Sequence, residues 1–172
     1  MQLAAPAAKG KEEHRVTRNA CRQMAEEKLK ELGIDIDPDF VKAMEMAAIP
    51  VDTSKYCLKP ALAVDRFLYL SGAGPLRADG TMDKGKLGDG SISMEDAQAA
   101  ARRVGYCHLA AIRVAAGSLD RVQCIVKALG MVNSAPDFGG QPAVVNGYSE
   151  LMKAVFGEDN GIGTRSAVGM GA

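Results

Sequence analysis

The chain has 172 residues, enough for one domain that buries about two thirds of its unfolded surface without disulfides or metal. Its 21 basic and 21 acidic residues cancel, which argues against a broad nucleic-acid footprint, since that needs a surplus of Lys and Arg on one face. Cys21, Cys57, Cys107 and Cys124 form no C-x-x-C pair, and only His14 and His108 are available to join them, so zinc spacing is absent and scattered thiols point to a reducing compartment.

Residues 1–16 are rich in Ala, Lys and Glu without periodicity and read as a tail. They hold no apolar core for a signal peptide, and Glu12 and Glu13 argue against a transit peptide. No apolar run approaches the ~20 residues of a membrane span, so the expected setting is the cytoplasm. Apolar residues at helical spacing predict a helix over about 17–32, stopped at Gly33. A second short helix is predicted over 39–48, ended by Pro50. Residues 51–60 look irregular. Asp65-Arg66 suits a turn, and Phe67 to Leu70 is a β-rich run ending at Ser71-Gly72. Five glycines over 77–92 predict a long surface loop.

Ser93 is a good N-cap, with Glu95 and Asp96 placed to suit the helix dipole. The helix it opens carries a mostly alanine stripe from Ala97 to Ala115 and ends at Gly117. Small side chains let such a helix lie close to its neighbours. Leu119 to Val132 reads as one strand with two apolar faces, both therefore covered, one of them by another subunit. Pro142 opens a further helix with a buried stripe from Val144 to Phe156, stopped at Gly157. TRSAVGMGA, from Thr164 on, reads as the last strand. The order implies an α+β layer, a mixed sheet with two helices on one face, behind an N-terminal helical extension.

Candidate chemistry is sparse. G-A-G-P at Gly72 to Pro75 lacks the third glycine and following helix of a dinucleotide loop, and GKLGDG at Gly85 to Gly90 lacks the ending of a phosphate loop. Ser71 has no evident base, and His108 reads as a packed or interface histidine. Cys107 and Cys124 read as inert core thiols. Arg165 stands apart as a lone guanidinium opening an apolar strand. Buried, it needs an anion or several acceptors: a carboxylate of the protein in a structural salt bridge, or that of a ligand held by paired hydrogen bonds; a solvated strand end is the equally weighted alternative.

Four stretches together resemble one family. FLYLSGAGP (Phe67 to Pro75), AAGSLDRVQCIVKALGMVNSAPDF (Ala115 to Phe138), VVNGYSELMKAVFG (Val144 to Gly157) and TRSAVG (Thr164 to Gly169) are similar to the signatures of the Rid family, also called RidA, YjgF or L-PSP endoribonuclease, in its longer bacterial-type branch. The resemblance covers about residues 50–172, with residues 1–49 as tail and helical extension. It implies a chorismate-mutase-like α+β domain and a homotrimer whose sheets close a barrel, with sites in the clefts between subunits. The implied reaction hydrolyses small 2-imino acids to 2-keto acids and ammonia, with no metal or cofactor. On that resemblance Arg165 grips the substrate carboxylate, Ser71 and Gly72 line the cleft, and Asn146 and Tyr56 complete it.

Two residues depart from the pattern. Ala73 stands where many members carry glutamine, and Ala167 where many carry cysteine. The family also continues into a Leu-Pro turn and a strand bearing a water-positioning glutamate, whereas this sequence reaches Ala172 where the turn would begin. These departures suit an alternative, a non-catalytic trimer that binds small carboxylate metabolites as a regulator or chaperone. RNA cleavage, an activity attached to the family's older name, ranks third, because a basic aromatic surface and a histidine pair are lacking.

Overall fold

The computed structural model describes residues 1–3, 24–36, 58–77 and 79–171. In chain order the elements are β1 (Gln2–Leu3), α1 (Met24–Glu31), β2 (Ala61–Val64), β3 (Phe67–Leu70), α2 (Met94–Ala116), a 3-10 turn (Leu119–Arg121), β4 (Val122–Cys124), β5 (Lys127–Asn133), α3 (Gln141–Phe156), α4 (Glu158–Gly161) and β6 (Thr164–Met170). None of the helices described is long and apolar enough to cross a membrane. The helix expected over 39–48 and the first part of that over 17–32 lie outside the described residues.

The strands form a four-stranded sheet in the order β2-β3-β1-β4 and a two-stranded sheet of β5 and β6. β2 and β3 make a hairpin in which Val64 faces Phe67. Its two-residue turn places Asp65 at φ 53°, a left-handed conformation that Asp tolerates better than most residues. β5 and β6 run parallel over seven pairs, from Lys127 opposite Thr164 to Asn133 opposite Met170.

The stretch read as one strand over 119–132 is broken. Leu119–Arg121 is a 3-10 turn, and between β4 and β5 the Ile125 N–H turns away to the Asn160 carbonyl at 2.8 Å. Residues 1–16 are not all tail. Gln2 pairs with Phe67 on one side and Cys124 on the other, and Leu3 is buried opposite Val122. Two residues carry no periodicity, so only the bare edges of β3 and β4 reveal where they belong. The 77–92 loop is likewise anchored more firmly than expected: Leu76 pairs with Met82, Leu87 pairs with Ser134, and both leucines are buried. Asp83 fastens it further, bonding Arg77 of the loop and Arg103 of α2.

Both long helices start and stop where their caps dictate. The Ser93 hydroxyl accepts the Asp96 N–H at 3.0 Å, and Gly117 ends α2 at φ 79°. Pro142 occupies the first turn of α3. The two helices approach closely. A side chain on Gly147 would begin 2.0 Å from the Gln98 carbonyl oxygen, and Gly105 lies against Leu151 and Met152. The principal core joins Leu68 of β3, Leu109 and Ile112 of α2, and Leu151, Met152 and Val155 of α3. Cys107 is buried in keeping with its reading, whereas Cys124 is only half-buried.

Candidate functional site

Side chains alternate along β6. Ser166 accepts the Lys127 ammonium at 2.8 Å on the outer face, while Ala167 packs inward with Val144 and Val145 of α3. Arg165 shares the inward parity of Ala167. Its guanidinium lies along α3, where Nη1 donates to Asn146 Oδ1 at 2.9 Å and Ser149 Oγ at 3.0 Å, and Nη2 donates to the Pro142 carbonyl at 3.2 Å. Positions 142, 146 and 149 are spaced four and three apart and so make one stripe on the helix. All three acceptors are uncharged. No carboxylate of the described residues lies within ion-pair distance of Arg165.

The half-buried cation is therefore held in place without being neutralised. The nearby start of α3 has no acidic residue in its first turn and no side-chain cap, and its dipole adds positive potential there. Three of the five guanidinium N–H groups are used. The remaining Nε–H and Nη2–H are suited to an incoming planar anion.

Ser71 and Gly72 sit at the end of β3. The Ser71 N–H donates to the Pro60 carbonyl at 3.0 Å and its hydroxyl to the Lys59 carbonyl at 2.6 Å. Its own carbonyl lies 3.2 Å from His108 Nε2 on α2. His108 Nδ1 is 3.3 Å from the Tyr148 hydroxyl of α3, with the two rings edge to face. Burial holds the imidazole below its ordinary pKa, only partly offset by the Ser71 carbonyl, and burial pushes the Tyr148 phenol up to about 12. Beyond Ser71, the Cys107 thiol meets the Gly74 carbonyl at 3.6 Å, and burial raises that thiol's pKa, leaving it a poor nucleophile.

Of the residues singled out from the sequence, Arg165 and Asn146 are brought together. Ser71 and Gly72 belong to the other sheet and make their contacts elsewhere in the protomer. Tyr56 lies outside the described residues. Ser149, Tyr148 and the role of His108 escaped sequence reading. The spacing of Asn146 and Ser149 offered a signal for the first, while the meeting of His108 with Tyr148 depends on how two helices pack. A groove of about 230 Å³ elsewhere, lined by Lys28, Asp120, Phe156 and Asn160 among others, contains none of these residues. Among the described residues no three His, Cys, Asp or Glu side chains converge.

No protein-family model matches the chain. Over 103 residues it is 41% identical to Protein TCP17 of Trypanosoma cruzi, a match covering 60% of this chain and 64% of that protein's length. The fold matches the crystal structure of the protein Atu1372, of unknown function, from Agrobacterium tumefaciens, with a TM-score of 0.69 and 28% identity over 91% of this chain and 87% of that one. It also matches a candidate endoribonuclease from Shewanella oneidensis MR-1, with a TM-score of 0.71 and 22% identity over 86% and 88% of the two chains. The architecture is thus the mixed α+β, YjgF-like fold expected from the sequence.

Proposed function

We propose that the chain forms a homotrimer that hydrolyses small 2-imino acids to 2-keto acids and ammonia at clefts between subunits, in the cytoplasm, where the free thiols Cys107 and Cys124 suit a reducing setting. One observation carries this reading: Arg165 is fixed by three uncharged oxygens of α3 and has no carboxylate partner among the described residues. A guanidinium so held is prepared for a ligand carboxylate. The resemblance of the Arg165 and Ser71 stretches to the Rid signatures supplies the reaction.

The chemistry asks little of the protein. Water adds to the imine carbon, and the resulting carbinolamine expels ammonia and leaves the ketone. Arg165 holds the carboxylate, while the backbone at Gly72, exposed and with nothing within 4 Å of where a side chain would begin, faces the other end of a three- or four-carbon acid across the subunit boundary.

A second reading has its own support. The groups that hold Arg165 are an amide, a hydroxyl and a carbonyl, none of them a general acid or base at neutral pH. A trimer that binds 2-keto acids without turning over imines fits that set equally well.

Arg165→Ala tests the carboxylate anchor that both readings share, and the wild type separates the two. With an imine generated in situ by an amino-acid oxidase, the substitution lowers kcat/KM by about 100-fold, the loss of one half-buried charge-assisted pair. Pyruvate affinity, read by calorimetry, falls in parallel. Pyruvate binding by the wild type without imine hydrolysis establishes the second reading. Unchanged turnover and binding in a folded Arg165→Ala protein overturns both.

A further inference from the structure

His108 and Tyr148 play no part in the reaction as described, yet they make a polar bridge through the middle of an apolar packing layer. Its direction follows from valence. The Ser71 carbonyl can only accept, so the ring nitrogen facing it, Nε2, carries the hydrogen. The imidazole, lowered in pKa by burial, is neutral at pH 7 and has one N–H. Nδ1 is then a bare lone pair, and the Tyr148 hydroxyl 3.3 Å away donates to it. Every group is satisfied, and no buried side-chain nitrogen or oxygen of the described residues is left without a partner.

The bridge ends at two informative places. At one end Ser71 is held on all of its polar groups: N–H to Pro60, hydroxyl to Lys59, carbonyl from His108. The donor proton of its hydroxyl is thus committed within the protein, which leaves the neighbouring Gly72 backbone as the group open to a ligand. At the other end Tyr148 stands between Asn146 and Ser149, the two side chains that hold Arg165. One turn of α3 therefore fastens the anchor on its outer side and the Ser71-Gly72 turn, through His108, on its inner side.

We propose that His108 and Tyr148 are positioning residues: their bridge sets the Ser71-Gly72 turn in the geometry that meets a small 2-keto or 2-imino acid, and couples it to the helical turn that orients Arg165. The proposal rests on the function proposed above. Because a trimer repeats each cleft, the turn and the guanidinium of one protomer serve two different clefts, so the bridge links neighbouring sites through the body of each subunit.

The test uses Tyr148→Phe, which keeps the ring and removes the hydroxyl, and His108→Leu and His108→Gln, of which only the second retains a donor for Ser71. Tyr148→Phe and His108→Leu raise the pyruvate Kd and the imine KM by about 5- to 20-fold, the scale of one or two lost hydrogen bonds. His108→Gln stays within about threefold of wild type, a rescue that a filler of space would not give. Long-range 1H–15N spectra of the wild type show His108 protonated at Nε2, with the Nδ1 resonance displaced by Tyr148→Phe, and pyruvate moves the Gly72 amide signal. A folded His108→Leu protein with unchanged Kd and KM overturns the proposal. So does a His108 protonated at Nδ1, and the spectra decide the matter if His108→Leu does not fold. If Arg165→Ala is also without effect, the failure lies with the proposed function. If Arg165→Ala abolishes binding while Tyr148→Phe and His108→Leu leave it intact, the failure lies with the bridge alone.

Discussion

The Glu26 carboxylate ties α1 to the rest of the fold, beside the Asp120 carboxylate, which accepts the Glu26 N–H at 3.2 Å, and the packing of Ala25 and Leu29 in the core. One of the Glu26 oxygens accepts the Leu119 N–H at 2.8 Å, at the start of the 3-10 turn, and the other accepts Arg113 Nη2 of α2 at 2.5 Å. Burial alone would raise its pKa; the bonds from Arg113, Leu119 and Ser118 outweigh burial and hold it below the ordinary glutamate value. A depressed carboxylate contributes stability that is complete above its unfolded pKa, about 4.3, and is lost as pH falls through its lower folded value. Glu26→Gln is therefore expected to lower stability to urea by about 1–2 kcal/mol at pH 7, the worth of a charge-assisted bond in a partly exposed setting. The deficit shrinks as pH falls below about 4, where the wild type itself becomes neutral. A gap that stays constant from pH 7 to pH 3 would mean that shape rather than charge secures α1. Arg165 is the opposite case at the same scale, a cation given geometry but no counter-charge among the described residues, which is why the proposed function assigns it to a ligand.

Between elements, α2 and α3 pack so closely at Gly147 that this position leaves less room for a side chain than any other described glycine. A methyl there would press on the Gln98 carbonyl oxygen at 2.0 Å, backbone that cannot rotate aside. Gly147→Ala gains up to about 1 kcal/mol of helix propensity but forces the helices apart, so the expected outcome is a net loss of about 2 kcal/mol or more in urea unfolding. Gly139→Ala, with nothing within 4 Å of the added methyl, serves as the control. Because Asn146 and Ser149 flank Gly147, the same change displaces the holders of Arg165, and pyruvate binding falls with stability. This packing also explains what could be read in advance. Ser93, Gly117 and Pro142 act within a turn of themselves, and the helix bounds followed from them. The break at Ile125 could not, since it arises because that N–H finds Asn160 from another element. Met1 to Leu3 look like tail until β3 and β4 stand on either side of them. In the candidate site, Arg165 was legible because a guanidinium in an apolar strand demands an explanation. The His108–Tyr148 bridge was not legible, because each residue lies on the apolar face of its own helix and reads there as filler.

At the scale of the whole molecule, α2 and α3 pack on one side of the sheets, and among the described residues the other side carries exposed apolar side chains. Leu62 and Tyr69 of the hairpin, Leu129 and Met131 of β5, and Val168 and Met170 of β6 are all exposed large hydrophobics. Exposed apolar side chains in this number are unusual on a monomer, and those of β5 and β6, which are paired strands, mark the face on which the proposed trimer would close. Leu129 and Met131 are 60% and 59% exposed and adjoin on one face of β5. The Leu129→Lys, Met131→Lys double variant would place two ammonium groups per protomer in that interface, at a cost of about 3 kcal/mol or more when they are buried unpaired. The proposed trimer should dissociate at about 100-fold higher protein concentration in light scattering after gel filtration, with imine hydrolysis falling in step if, as proposed, each cleft draws on two subunits. Val114 provides the comparison: at 64% exposed it is as accessible as Leu129 but lies on α2, so Val114→Lys leaves both assembly and activity unchanged. Should the double variant remain a trimer while Val114→Lys dissociates, the subunits meet through their helices. The clefts would then have to be sought on that side, and Arg165 and Gly72 would no longer face one another across a boundary.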